Sequence, residues 1–220
     1  MTNAALDEAS VLPEALHAAL RDAILERALP PGTAVTESAV ALRHGVARST
    51  ARLAIERLVG DGLLRRAPHQ AARVPSLDAG DIADIYESRE VVERAAIERL
   101  ARSGSIPAAA LRAHRELLAI DPDTPFARID ATFHRELVAG QPNARLVRMH
   151  GLLMGEIEMC IAQVQAERVL TPAEIAAQHQ AILDAVVAGD ADLAGRLTGE
   201  HIRGARDRLL AAYDRDRARQ

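Results

Sequence analysis

Five helix breaks and no strand-like alternation in residues 78–220 constrain the fold more than any other feature of this chain. The breaks are Ser103-Gly104-Ser105-Ile106-Pro107, Asp121-Pro122, Gly140-Gln141-Pro142-Asn143, Thr171-Pro172 and Gly189-Asp190. Clusters of glycine, proline and cap-forming residues end one helix and begin the next. The intervals predict six helices, over about 81–102, 107–120, 125–139, 143–168, 172–188 and 190–213. Helices with no sheet to cover them bury their apolar stripes against one another. An all-α antiparallel bundle over residues 77–215 is therefore expected, with any ligand site built from inward-facing side chains on neighbouring helices.

The first 76 residues read differently. Leu12, Leu16, Leu20 and Ile24 have helical spacing, which stops at Leu29-Pro30-Pro31-Gly32. Thr36 is placed to cap a short helix, and Gly45 can supply the left-handed turn that ends it. A second helix follows over about 47–59, closed by Gly60 and Gly62. Two short helices joined by a glycine turn form a helix-turn-helix, whose second helix can lie in a major groove. Residues 63–66 and 72–74, separated by Pro68-His69-Gln70, are expected to pair as a small β-hairpin wing. The fold expected is mainly α: a disordered start over 1–10, a winged helix-turn-helix over 11–76, the bundle over 77–215 and a tail over 216–220.

Charge is distributed to match. Residues 1–76 hold 9 arginines against 8 acidic residues, whereas residues 77–220 hold 18 against 23. Within 40–76, Arg43, Arg48, Arg52, Arg57, Arg65, Arg66 and Arg73 face only Glu56 and Asp61. A locally basic segment can bind a polyanion although the whole chain is acidic, because phosphate neutralisation acts over about a Debye length. The chain has no lysine, so a solvated arginine-rich face is the competing reading. The only aromatic residues are Tyr86, Tyr213, Phe126 and Phe133, all outside the basic segment, which disfavours single-stranded RNA. Cys160 is the sole cysteine and reads as a small buried apolar residue; with no disulfide available and no signal-like start, a cytoplasmic address away from membranes is expected.

Arg48 and Arg52 are four apart on one helical face, and arginine can bind guanine bidentately or clamp phosphate. Arg43, Ser49, Thr50, Arg65, Arg66 and His69 complete the candidate DNA-contacting set. For Arg65, Arg66 and His69, ordinary solvation is an equal alternative. The stretch Leu29-Pro-Pro-Gly-Thr-Ala-Val-Thr-Glu-Ser-Ala-Val-Ala-Leu, with Gly45-Val46-Ala47-Arg48, Arg52, and Arg57-Leu58 leading into Asp61-Gly62-Leu63-Leu64, resembles the N-terminal domain of GntR-family transcription regulators. The resemblance implies that Arg48 and Arg52 contact double-stranded operator DNA. Ala47, Thr50, Leu53 and Ala71 depart from the family pattern, which usually has serine, proline, glutamate and glycine there.

Asp130 and His134 are one helical turn apart, while His179 and His201 lie about ten residues on either side of the Gly189-Asp190 turn, so antiparallel packing would bring them level. One carboxylate and three imidazoles suit borderline divalent metals, with zinc, nickel and manganese leading. Asp130-Ala-Thr-Phe-His134, Gln178-His179 with Ala185 and Gly189-Asp190, and His201 resemble the FCD ligand-binding domain of the FadR subfamily, in its shorter, six-helix, VanR-like form. The resemblance implies that Asp130, His134, His179 and His201 hold a divalent metal ion that receives the carboxylate of a small organic or sugar acid effector. It also places Arg89 in the cavity; a second grip on the effector and a salt bridge to Glu93 are equal readings. Asn143 is either an effector contact or an N-cap, and His17, His114 and His150 have no assigned role.

The chain is accordingly expected to be a homodimeric DNA-binding regulator, acting as a repressor and not as an enzyme. Two alternatives share the same residues: a metalloenzyme whose metal activates water, and a regulator that senses the metal itself.

Overall fold

A computed structural model describes residues 4–122, 124–166 and 170–217, in two compact units, Met1–Leu77 and Asp78–Gln220. In the first, α1 (Ala4–Leu25) and α2 (Glu37–His44) both pack on α3 (Arg48–Gly60). Leu16, Leu20 and Ile24 of α1 meet the core that Ala51, Ala54, Ile55 and Leu58 of α3 build. Thr36 Oγ1 accepts from the Ala39 N–H, and Gly45 at φ 65° ends α2 with its own N–H bonded to the Ala41 carbonyl. The expected turn is thus present with its expected chemistry. Ala47, which precedes α3, has no side chain to accept a hydrogen bond and leaves that helix without a side-chain cap.

Helix α1 begins at Ala4, inside the stretch expected as a disordered start. One expectation for this unit needs correction, because the wing is built differently. Arg65 and Arg73 exchange both backbone hydrogen bonds at 2.9 Å but form only a single bridge. The regular pairing is antiparallel between β1 (Ala34–Val35) and β2 (Ala72–Arg73), with Ala34 opposite Arg73 and Val35 opposite Ala72. A longer hairpin is blocked because the Leu63 and Leu64 N–H groups are bonded to the Leu58 carbonyl. Beyond Arg66, Pro68 lacks a donor and His69 turns at φ 61°.

The second unit contains α4 (Ala79–Ser103), α5 (Ala108–Ala119), α6 (Ala127–Ala139), α7 (Ala144–Ala166), α8 (Pro172–Val187) and α9 (Ala191–Arg217). Each falls within a few residues of its expected span, although α9 runs on to Arg217, into the segment expected to be a tail. Asp78 with Asp81, and Thr171 with Glu174, form reciprocal capping boxes that fix the starts of α4 and α8. Short connections place α5 on α6, α6 on α7 and α8 on α9, as antiparallel neighbours, and α4 packs along α9 to close the bundle. Ile97, Leu100, Phe133, Leu137, Ile182 and Val186 form its core. Among the described residues, no helix is long and apolar enough to cross a membrane.

Candidate functional site

Helix α6 projects Asp130 and His134 inward from successive turns, α8 contributes His179, and α9 contributes His201. All four are buried, with relative exposures of 3%, 2%, 0% and 6%. The three histidines offer ring nitrogens that lie within 4.8 Å of one another. Asp130 Oδ1 lies 3.3 Å from His179 Nε2 and 3.7 Å from His134 Nε2. Neither Asp130 Oδ1 nor either nitrogen of His179 has a hydrogen-bond partner. The four residues named from sequence are therefore gathered at one point.

Their orientation is set by residues behind them. His134 Nδ1 donates to Glu93 Oε2 at 2.7 Å, and His201 Nδ1 donates to Gln178 Oε1 at 2.7 Å. Each ring is thereby fixed with Nε2 turned inward, and the two Nε2 atoms stand 3.3 Å apart. His179 is held instead by stacking on Phe133, with centroids 3.9 Å apart and planes at 15°. Burial, followed by the neighbouring His134 and Arg89, pushes His201 down to about 3. His179 also lies well below the ordinary imidazole value, through burial and the nearby His201 and His134, so both rings are neutral and present lone pairs.

Burial alone would raise Asp130, but the nearby His134, then His179 and His201, hold it below the usual carboxylate range. For His134, burial and Arg89 act downward; Glu93 and Asp130 outweigh them, and the net direction is up. Glu93 is opposed by burial as well, yet Arg89 and His134 hold it well below its ordinary value. A carboxylate and three inward ring nitrogens form a donor set that fits a borderline divalent ion, which would displace the proton shared by the His134 and His201 Nε2 atoms.

Arg89 is 1% exposed, and its Nε donates to Glu93 Oε1 at 2.9 Å, so the salt bridge is present. Its second terminal nitrogen, Nη2, is buried without a partner, as is the Tyr86 hydroxyl beneath the guanidinium, whose carbon lies 5.7 Å from the ring centroid. Asn143 is placed elsewhere. It is exposed, and its Oδ1 accepts from the Arg145 and Leu146 N–H groups, the N-cap arrangement for α7. Sequence reasoning pairs Glu93 only with Arg89 and leaves His150 and His114 unassigned. Glu93 also accepts from His150 Nε2 at 3.1 Å, and His114 bonds Gln180 at 2.9 Å beside Phe133. The one sequence signal for Glu93 is its position one turn after Arg89.

In the first unit, Arg48, Ser49 and Arg52 are exposed on α3, and Thr50 is half-buried. Arg52 Nε donates to Glu56 at 2.7 Å, an exposed pair one turn apart that solvent screens. Arg43 lies in the last turn of α2. Arg66 approaches Glu37 at 3.5 Å, and Arg65 and His69 are exposed in the wing segment.

A helix-turn-helix with an exposed arginine-bearing second helix, in one chain with a bundle enclosing a ligand cluster, defines a one-component DNA-binding regulator. Residues 84–204 match the FCD domain, and residues 12–74 match the bacterial regulatory proteins of the gntR family. The chain belongs to the GntR family of transcription regulators, in the branch that carries an FCD domain. It is 28% identical over 183 residues to a "Probable D-xylose utilization operon transcriptional repressor" of Paenarthrobacter nicotinovorans, covering 81% of this chain and 80% of the relative. A GntR transcriptional regulator from Rhodococcus sp. RHA1 superposes with a TM-score of 0.71 at 26% identity, over 91% of this chain and 98% of that one. McbR/YncC of E. coli shares the fold, with a TM-score of 0.71 at 21% identity over 92% of this chain and 98% of its own. The matched families and relatives regulate transcription and are not enzymes, which removes the metalloenzyme alternative.

Proposed function

We propose that this regulator is a repressor whose hold on operator DNA is switched by a small organic or sugar acid. The acid is bound at a divalent metal on Asp130, His134, His179 and His201. The observation that carries the reading is the pair of inward Nε2 atoms 3.3 Å apart, next to an unpartnered Asp130 oxygen and an unpartnered His179. The two Nε2 atoms are close enough to share one proton, and a divalent ion can take that proton's place beside the carboxylate. Bound there, zinc, nickel or manganese would supply open coordination positions for a carboxylate oxygen. Glu93 and Gln178 keep the rings turned toward it, and Arg89 Nη2 is a free buried donor for a second oxygen of the acid.

The cavity against His134 measures about 10 Å³ and is lined by Glu93, Ile97, Phe133, Leu137, Ile182 and Thr198. That is about the space of one water molecule, and Asp130, His179, His201 and Arg89 do not line it. Coupling to operator affinity requires that the acid bind one arrangement of the bundle more tightly than another. The three ring nitrogens within 4.8 Å of one another also suit a second reading, a regulator that senses the metal ion itself. A homodimer belongs to either reading, since two winged helices on paired half-sites supply affinity that one cannot. The DNA-contacting residues are Arg48, Ser49, Thr50 and Arg52 of α3, with Arg43, Arg65, Arg66 and His69 around them, and the protein works in the cytoplasm, where its operator is.

Titration calorimetry on the full chain, metal-replete and then chelated, with a panel of organic and sugar acids, separates the readings. Heat from an acid that vanishes on chelation supports the metal-anchored effector, and unchanged heat after chelation sinks it. Operator affinity that responds to metal with every acid inert supports the metal sensor. Arg48→Ala and Arg52→Ala should each weaken operator binding in gel shifts with an unchanged thermal melt.

A further inference from the structure

Helix α3 has one side turned into the core: Ala51, Ala54, Ile55 and Leu58 are each fully buried. At about 100° per residue, the side opposite is occupied by Ser49, Leu53 and Glu56. Leu53 is 51% exposed there, an apolar side chain at the centre of the face that points away from the protein. A single exposed leucine elsewhere would need no explanation. This one lies one turn from Ser49 and directly beside Arg52, on the helix whose exposed arginines favour a polyanion, and Arg52 also neutralises Glu56 through their 2.7 Å bond. In the major groove the one apolar group on a base edge is the 5-methyl of thymine, and an aliphatic side chain recognises it by excluding water from both.

We propose that Leu53 packs on a thymine 5-methyl group in each operator half-site and so specifies that base. The inference rests on α3 being the helix that enters the groove. Arg48 and Arg52 flank the leucine on one side of the face and supply phosphate or guanine contacts. The leucine supplies discrimination among bases that charge alone does not give.

The test uses the full-length protein and duplexes it selects from a random pool. In the best duplex, each thymine is replaced in turn by deoxyuridine, which removes only the methyl group, and affinity is read by fluorescence anisotropy. The expected result is one position per half-site where deoxyuridine weakens the wild-type protein about fourfold, the worth of one buried methyl. Leu53→Ala should bind the thymine and deoxyuridine duplexes equally, and Leu53→Thr, which keeps a methyl in reach, should retain part of the preference. Both variants alter an exposed side chain, so their thermal melts should match the wild type. The proposal is overturned if no thymine responds to demethylation, or if Leu53→Ala keeps the full preference. Arg48→Ala on the same duplex separates the two levels: undiminished binding overturns the placement of α3 in the groove, whereas weakened binding with no thymine preference in the wild type overturns the role of Leu53 alone.

Discussion

Glu93 accepts hydrogen bonds from Arg89, His134 and His150 at once, in a setting that is 2% exposed. Replacing it leaves the Arg89 charge buried and unpaired, which costs about 3–5 kcal/mol, and frees the His134 ring. Glu93→Gln should therefore lower the urea midpoint and weaken metal binding about 10- to 100-fold, read by chelator competition. Gln178→Ala perturbs the fold less and should weaken metal through His201 alone; unaltered competition curves for both variants would contradict the orienting roles. Cys160 gives a second prediction at this scale. Burial pushes its thiol up to about 12, and the thiolate is the reactive form, so iodoacetamide at pH 8 should label the protein only in denaturant. Stoichiometric labelling of the native chain would show the residue to be accessible. Asp130 and His134 were legible as a pair because one helix carries both at a fixed spacing. Glu93 was legible only as a partner for Arg89, because its bond to His134 joins residues on separate helices, and that depends on helix rotation that no local pattern encodes.

At the scale of elements, α3 starts without a side-chain cap because Ala47 stands at the capping position. Ala47→Ser should stabilise the first unit by about 1 kcal/mol, seen as a higher thermal midpoint, and no change would mean that the serine finds no N–H to accept from. The converse applies at α8, where Thr171 Oγ1 accepts from the Glu174 N–H and Glu174 accepts from the Thr171 N–H and hydroxyl. Thr171→Ala should cost about 1 kcal/mol. The Thr171 donors hold the exposed Glu174 carboxyl below its ordinary value. Its contribution is therefore present above the unfolded value and fades as pH falls through the lower folded one, and Glu174→Gln should flatten that acid limb of the stability curve. Helix ends were readable because caps and breakers act within a few residues. The strand Ala34–Val35 was not, since two residues cannot show a period and their partner lies almost forty positions away.

For the molecule as a whole, the candidate ligands all belong to Asp78–Gln220 and none to Met1–Leu77. Adding zinc to the stripped full chain should raise the calorimetric transition of the second unit, by about 2.7 kcal/mol at a hundredfold excess over Kd, and leave that of the first in place. His134→Ala should abolish the rise; a rise that survives the substitution would place the metal elsewhere. The division into two units was legible because the character of the sequence changes at Val74 to Gly80, from a basic segment with glycine turns to uninterrupted helical lengths. What the chain's pattern could not convey is how tightly the bundle closes on its polar centre, which depends on the fit of side chains from several helices together.

The Tyr86 ring beneath Arg89 has a practical consequence for anyone holding a tube of this protein. The chain has no tryptophan and only two tyrosines, so its native ultraviolet emission comes from Tyr86 and Tyr213. Because Tyr86 is buried with its hydroxyl unpartnered and a guanidinium over its face, an occupant that draws Arg89 aside or bonds that hydroxyl alters the emission directly. An undyed, unmutated sample in a fluorimeter thus carries its own optical gauge of what the regulator has bound.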